Sequence, residues 1–381
     1  MGDFSAGLGG LTRRFGLLAA GAAALTLAAC GQQTAGGAGQ AGGTLNVYNW
    51  SDYIDPALLE EFTKETGIKV VYDTFDNNEI VETKLTTGGS GYDIVAPSNQ
   101  VVQRLIAAGV LEPFDFAKIP NRKNLWPEIA SRMEPFDPGL KHSIPYMWGT
   151  IGIGYNEAMI KERLGDVPVD SWSLVFDPAT IAKVADCGVM MLDSGEEMFS
   201  IILNYMGKDP NSTNVQDYKE ATDLMAKVRP SVRKFHSSEY INALAGGDIC
   251  VAVGYSGDIF QAATRAEEAG GKVSIGYSIP KEGAQIWFDN FVIPNDAPNK
   301  EAAYKFIDFM YRPEVIARAS NYVQYANANA PSKELLDPAV RDNPGIYPAD
   351  AVIAKMFTPT VKEQELMREI NRYWTTVRTG Q

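Results

Sequence analysis

The feature that most constrains the fold is an alternation of short apolar strands and helices between residues 45 and 108. Strands are predicted over Leu45–Tyr48, Ile68–Tyr72 and Tyr92–Ala96, with helices that begin near Asp55-Pro56 and Asn77 and stop at glycines. Short linkers between such elements predict a parallel wound α/β sheet. Open sheets of this kind bind ligands beyond the carboxyl ends of their strands.

A second lobe is predicted after a long extended stretch, Ser143–Asn156, which suits a crossing strand. Helices and short strands follow to about residue 276, an extended return over Val273–Pro280, a strand over Ile286–Ile293 and mostly helix from Lys300, including 348–357. A chain of 381 residues is long enough for two lobes. We therefore predict lobe 1 over 44–148 with 278–330, lobe 2 over 149–277, and C-terminal helices over 331–381 that pack on both.

The first 29 residues are predicted to be a signal peptide. Arg13 and Arg14 precede an apolar run of small residues that ends at Cys30. Leu27-Ala28-Ala29-Cys30 resembles a lipobox, which predicts a diacylated cysteine, a flexible tether over 30–43, and a periplasmic protein anchored to a membrane. An ordinary cleaved signal is the alternative, and the paired arginines leave Sec and twin-arginine export open.

Charge and cysteine content narrow the class of protein. The net charge is −13, from 34 basic and 47 acidic residues, which argues against nucleic acid and anionic membranes as partners. Cys187 and Cys250 remain after export, and an even pair in an exported protein predicts a disulfide, with free buried thiols as the alternative. With two histidines and no clustered ligands, no metal site is predicted.

Two stretches point to a cationic ligand. Trp50-Ser51-Asp52-Tyr53 follows the first strand, so that aromatic rings and a carboxylate lie where a ligand would enter. Asp289 lies inside the apolar segment IWFDNFVI, and a lone buried carboxylate costs several kcal/mol unless it is paired. Its partner is either a ligand ammonium, covered by Trp287, or an arginine or lysine of the protein.

Other candidates have equally simple structural explanations. Asp258, three residues after Tyr255, can cap a helix, and Glu197 can be a first-turn acid favoured by the helix dipole. Tyr325 can be a loop tyrosine, and Tyr53 can pack under the first helix. The sequence has no GxSxG elbow, no Walker A motif and no GxGxxG after a strand, so neither an enzyme nor a cofactor is predicted.

Many segments in a fixed order resemble bacterial periplasmic polyamine-binding proteins, and among them putrescine-binding components of ABC transporters. They include YNWSDYI, YDIVAPS, PYMWGTIGIGYN, GDICVAVGYSGD, FHSS and YANAN, and they span about residues 44–380. The resemblance implies a two-lobe type II binding fold, a disulfide between Cys187 and Cys250, and lobes that close on the ligand. The ligand-binding residues that it implies are Trp50, Ser51, Asp52, Tyr53, Ser98, Glu197, Tyr255, Asp258, Trp287, Asp289 and Tyr325.

The sequence departs from the putrescine binders at aromatic positions. Tyr255 stands in place of tryptophan and Trp287 in place of phenylalanine, as in spermidine-preferring relatives at the second position. The length of the amine, putrescine or spermidine, therefore stays open. The expected partners are the amine and an ABC transporter permease, with the chain a monomer. A polyamine sensor that signals to a membrane partner and an exported enzyme are the alternatives.

Overall fold

A computed structural model describes residues 43–380. The predicted signal peptide, Cys30 and all but the last residue of the predicted tether lie outside the described residues. Within the described part of the chain, no helix combines the length and the apolar composition needed to cross a bilayer.

The structure is an α/β fold in which one sheet runs through two lobes. The strands are β1 (Thr44–Trp50), β2 (Lys69–Phe75), β3 (Ile94–Val95), β4 (Ser143–Asn156), β5 (Val189–Met191), β6 (Lys234–Phe235), β7 (Val251–Tyr255), β8 (Ile275–Ser278), β9 (Ile286–Val292) and β10 (Ala326–Asn327). Their order is β2-β1-β3-β9-β4-β7-β5-β6, with β8 and β10 also paired to β4.

Helices flank this sheet along the chain. They are α1 (Pro56–Thr66), α2 (Asn78–Thr87), α3 (Asn99–Ala107), α4 (Pro127–Met133), α5 (Glu157–Leu164), α6 (Ser173–Phe176), α7 (Pro178–Ile181), α8 (Gly195–Tyr205), α9 (Val215–Val228), α10 (Tyr240–Ala245), α11 (Ser256–Glu268), α12 (Lys300–Met310), α13 (Pro313–Val323), α14 (Pro338–Arg341), α15 (Asp350–Ile353) and α16 (Gln364–Thr379). Short 3-10 helices cover Phe116–Lys118, Pro120–Asn124, Pro138–Leu140, Arg229–Ser231 and Pro331–Leu335.

Local chemistry places the first helix as the sequence predicts. The Asp55 carboxylate accepts from the Ala57 N–H at 2.9 Å, Pro56 takes the first helical position, and Gly67 ends the helix with φ 72°. Strand β1 is parallel to both β2 and β3, which confirms the predicted parallel sheet. The loops after these strands consequently meet at one edge.

Strand β4 joins the two lobes. Its first part, from Ser143 to Thr150, is antiparallel to β9, and its second part, from Ile151, is antiparallel to β7 and β8. We call the part built on β1, β2, β3 and β9 lobe 1, and the part built on β5 to β8 lobe 2. The edge between them is where the polar loops of both lobes converge.

Two further predictions can be checked against the fold. Cys187 and Cys250 form a disulfide, as predicted, next to the neighbouring strands β5 and β7. The helix predicted over 348–357 is shorter, at Asp350–Ile353, because the following residues reach β9. There Phe357 donates its N–H to Ala284 and accepts from Ile286.

Candidate functional site

A cavity lies between the two lobes, with about 410 Å³ of empty space when the open solvent at its mouth is included. Ten of the eleven predicted ligand residues line it. The lining is Trp50, Ser51, Tyr53, Phe75, Asp76, Ser98, Glu197, Ser237, Ser238, Tyr255, Asp258, Trp287, Asp289 and Tyr325.

Asp289 forms the acidic part of the lobe 1 wall. It lies on β9, is 3% exposed, and its Oδ1 accepts from the Ser98 hydroxyl at 2.6 Å. Ser98 is the N-cap of α3, but its hydroxyl makes no capping bond and is directed to Asp289 instead. Burial raises the pKa of Asp289 to about 7, against the opposing hydrogen bond from Ser98.

Asp258 forms the corresponding carboxylate of lobe 2. It lies in the first turn of α11, and its two oxygens accept from the hydroxyls of Tyr325 and Tyr240, each at 2.7 Å. The carboxylate therefore accepts from tyrosines rather than capping its helix, and Tyr325 is more than a loop residue. Burial raises the pKa of Asp258 to about 7, although both tyrosine bonds act to lower it.

Glu197 is the second carboxylate of lobe 2. It lies in the first turn of α8, where an acid is favoured, but its side chain is also buried in the cavity wall. Its Oε2 accepts from the Tyr255 hydroxyl at 2.8 Å, and its Oε1 accepts from the Gln285 amide at 3.4 Å. Burial raises the pKa of Glu197 to about 8, with Glu79 contributing in the same direction.

Aromatic rings from both lobes complete the wall. The Trp287 ring centroid lies 5.3 Å from Tyr325, 5.9 Å from Tyr255 and 6.3 Å from Tyr53. Trp50 lies across the lobe boundary from Tyr255, at 6.2 Å, and its indole N–H donates to the Ala96 carbonyl. Tyr53 is buried and contributes to the wall, so its packing and its place in the site are compatible.

The close packing of these rings requires glycine at two positions that contact them. A Cβ on Gly257 would lie 2.4 Å from the Tyr325 ring, and one on Gly149 would lie 2.7 Å from the Trp287 ring. A side chain at either position would require the ring to move. These glycines are therefore part of the local structure that gives the aromatic walls their position.

The site is acidic and has no cation of its own. Four carboxylates line it, yet its lining contains no lysine, arginine or histidine, and Asp289, Asp258 and Glu197 make no ion pair within residues 43–380. That part of the chain also contains no group of three or more potential metal ligands. Buried carboxylates that face aromatic rings suit an organic cation with an apolar body.

Contacts around the cavity hold the lobes together in a closed arrangement. Arg104 on α3 of lobe 1 bonds Glu82 in its own lobe at 2.9 Å and Glu196 on α8 of lobe 2 at 3.2 Å. On another side, Arg265 of α11 bonds Asp52 at 2.6 Å. The ligand cavity is enclosed between these contacts.

Asp52 is the predicted ligand residue that the structure places elsewhere. It adopts a left-handed backbone with φ 55°, its carboxylate bonds Arg265, and its carbonyl accepts from Gln261. Its side chain is 41% exposed and does not line the cavity. The motif therefore contributes Trp50, Ser51 and Tyr53 to the wall, while Asp52 joins the two lobes.

Four lining residues were not predicted. Phe75 and Asp76 end and follow β2, and the Ser51 hydroxyl donates to Asp76 at 3.0 Å. Ser237 and Ser238 follow β6. All four lie at or just past the carboxyl end of a strand, which is the signal that would have found them.

Comparisons with known proteins agree with this geometry. A family model of bacterial extracellular solute-binding proteins matches residues 57–348. The putrescine-binding periplasmic protein PotF of Escherichia coli is 51% identical over 339 residues, covering 88% of this chain and 92% of the relative.

Solved structures give the same result. The spermidine/putrescine ABC transporter substrate-binding protein PotD of Streptococcus pneumoniae has a TM-score of 0.72 at 32% identity, covering 89% of this chain and 99% of the other. The Tp0655 lipoprotein of Treponema pallidum has a TM-score of 0.72 at 27% identity, with 88% and 99% covered. This chain therefore belongs to the bacterial extracellular solute-binding proteins, a family of binding proteins and not of enzymes, as the sequence predicts.

Proposed function

We propose that this chain is a periplasmic receptor that captures a polyamine, putrescine or spermidine, between its lobes and delivers it to an ABC transporter permease. The names of the relatives support the ligand class and the transporter. The single observation that carries the proposal is the set of three buried carboxylates, Asp289, Asp258 and Glu197, that face an aromatic cavity without a protein cation.

The chemistry of a polyamine matches this wall. Its ammonium groups supply the positive charges that the buried carboxylates lack, and its methylenes supply apolar area for the rings. Each ring that faces an ammonium adds a cation–π attraction of roughly 0.5–2 kcal/mol. Trp50, Tyr53, Tyr255, Trp287 and Tyr325 are the proposed walls, with Ser51 and Ser98 as polar contacts.

Domain closure is the proposed route to capture. In this proposal lobe 1 is 44–148 with 278–330, lobe 2 is 149–277, and residues 331–381 pack on both. Ligand binding stabilises the closed arrangement, because carboxylates of both lobes then share one cationic ligand. The permease would recognise that closed form.

We further propose that the protein is a monomer attached to a membrane through a diacylated Cys30. The lipobox-like Leu27-Ala28-Ala29-Cys30 and the lipoprotein from Treponema pallidum among the structural relatives support this. Cys30→Ser is expected to abolish incorporation of labelled palmitate and to release the protein from the membrane fraction. Labelling that survives the substitution would contradict the anchor, and size-exclusion chromatography with light scattering tests the monomer.

Titration calorimetry on the mature protein tests the ligand. The panel is putrescine, cadaverine, spermidine and spermine, with 1,4-butanediol as a neutral control of matched length. We expect at least one amine to bind well below millimolar concentration and the diol not to bind. If no amine binds below about millimolar while another solute does, the proposed function is wrong.

A further inference from the structure

We propose that Trp374, on the C-terminal helix α16, is a positioning residue for the ligand cavity, an inference that rests on the proposed function. Trp374 does not line the cavity and is 6% exposed. It lies nonetheless beneath two loops that supply cavity residues. One loop leads into Glu197, and the other carries Ser237 and Ser238.

Three contacts connect Trp374 to the segment around Glu197, from Asp193 to Phe199. Its indole N–H donates to the Asp193 carboxylate at 3.0 Å. Its side chain packs so closely on Gly195 that a Cβ there would lie 2.8 Å from the Trp374 Cβ and Cγ atoms. Its ring lies 6.0 Å from Phe199, on the first turns of α8. These contacts restrain the start of α8 and therefore the position of Glu197.

The same side chain supports the second loop. The Trp374 ring contacts Phe235 at a centroid distance of 5.2 Å, and Phe235 ends β6 just before Ser237. The Asp193 N–H donates to the Ser237 hydroxyl at 3.1 Å. The Asp193 carboxylate therefore accepts from the Trp374 indole, and the Asp193 backbone N–H bonds the loop that carries Ser237.

Ser194, the N-cap of α8, makes no side-chain capping bond. The backbone N–H groups of the first turn therefore have no side-chain cap, the Ser194 hydroxyl acts on the Glu197 carboxylate instead, and the contacts from α16 add a tertiary restraint. Groups that hold ligand-contacting residues in position typically affect affinity strongly although they touch no ligand. Trp374 meets this description for one wall of the cavity.

The test compares Trp374→Phe with Tyr218→Phe in the full-length protein. Both remove one hydrogen bond near Phe199, partly buried at Trp374 and buried at Tyr218, since Tyr218 packs on Phe199 and its hydroxyl donates to the Ser212 carbonyl at 2.7 Å. We expect Trp374→Phe to raise the putrescine Kd about tenfold. It should also speed amide exchange of residues 193–197 and 235–238 in the ligand-free protein. Tyr218→Phe should leave the Kd within about twofold, even where both variants lose the same thermal stability.

Asp193→Ala is the second variant, which removes the indole acceptor together with the ion pair to Arg378 at 3.3 Å and leaves the ring packing in place. It should reproduce both effects and covers the case in which Trp374→Phe fails to fold. Unchanged Kd and unchanged loop exchange in a folded variant would overturn the inference. If the wild-type protein binds no amine, the proposed function fails, and the loop exchange alone still decides whether Trp374 positions these loops.

Discussion

In lobe 1, Asp289 accepts a short hydrogen bond from one serine hydroxyl, whereas in lobe 2 Asp258 accepts from two tyrosine hydroxyls and Glu197 accepts from a tyrosine and an amide. Burial raises the pKa of all three carboxyls. Within hydrogen-bond distance the lobe 2 carboxylates therefore have more donors than Asp289, although Tyr53 and Trp50 join Ser98 in lowering the pKa of Asp289.

This difference indicates what each lobe contributes to ligand binding. Tyr240 and Tyr255 bond these carboxylates from within lobe 2, whereas Tyr325 bonds Asp258 from the lobe 1 segment, so this wall is complete only in the closed arrangement. Asp289 has more hydrogen-bonding capacity to spare and should gain most from an ammonium group. We therefore expect lobe 1 to form the stronger ion pair with the ligand and lobe 2 to contribute mainly to the shape of the cavity.

Substitution of each aspartate tests most directly which lobe contributes the stronger charge contact. Asp289→Asn should cost at least ~2 kcal/mol of amine binding, because it removes the charge that faces the ammonium. Asp258→Asn should cost less, because the tyrosines remain to bond the amide. Calorimetry with putrescine measures both, and thermal unfolding checks that each variant folds. Equal losses, or a larger loss at Asp258, would reverse the assignment.

The pH dependence of binding should have the next largest effect. Asp289 and Asp258 have pKa values raised to about 7, and only the ionised forms pair with an ammonium. Affinity should therefore fall by about tenfold or more as the pH is lowered from 8 to 6. Calorimetry in two buffers of different ionisation enthalpy would detect the protons released on binding. A flat profile would show that the carboxyls are ionised before the ligand arrives.

Removal of the hydroxyl donors tests how much each aspartate depends on its hydrogen bonds. Ser98→Ala should weaken amine binding by about 1 kcal/mol or more, since a buried carboxylate loses its short donor. Tyr325→Phe should cost less, because Tyr240 still donates to Asp258. Tyr92→Phe, which removes a surface hydroxyl bonded to Asp73, is the control and should leave affinity unchanged. A greater loss for Tyr325→Phe would contradict the order.

A further effect is expected on the free energy of unfolding without ligand. A carboxyl whose pKa is higher in the folded state binds more protons than in the unfolded state between the two pKa values. The three carboxyls therefore contribute stability that is complete below about pH 4 and is lost as the pH rises through 7 to 8. Glu197→Gln should flatten this decline, seen as a smaller change of Tm between pH 5 and 8. An unchanged slope would exclude Glu197 from the effect.

Much of the fold follows from local patterns. Cap residues such as Asp55 and Gly67 place helix ends, and short apolar runs separated by helices specify parallel strands. Most predicted cavity residues follow from the family resemblance, whereas Trp50, Ser51 and Tyr53 also follow from the rule that residues just after strands meet at one edge of the sheet. The unpredicted Asp76, Ser237 and Ser238 obey the same rule, but β2 runs to Phe75, beyond its predicted end at Tyr72, and the two-residue β6 is not predicted.

The sequence by itself predicted the parallel strands of the first lobe and the disulfide, and the family resemblance carried by its motifs supplied most of the ten predicted residues that line the cavity. Only the tertiary structure decided which carboxylates pair within the protein. Asp52 meets Arg265 from a helix more than 200 residues later, while Asp289 meets no cation within residues 43–380. Charge pairing depends on distances through space, and no local pattern encodes which distant side chain will arrive.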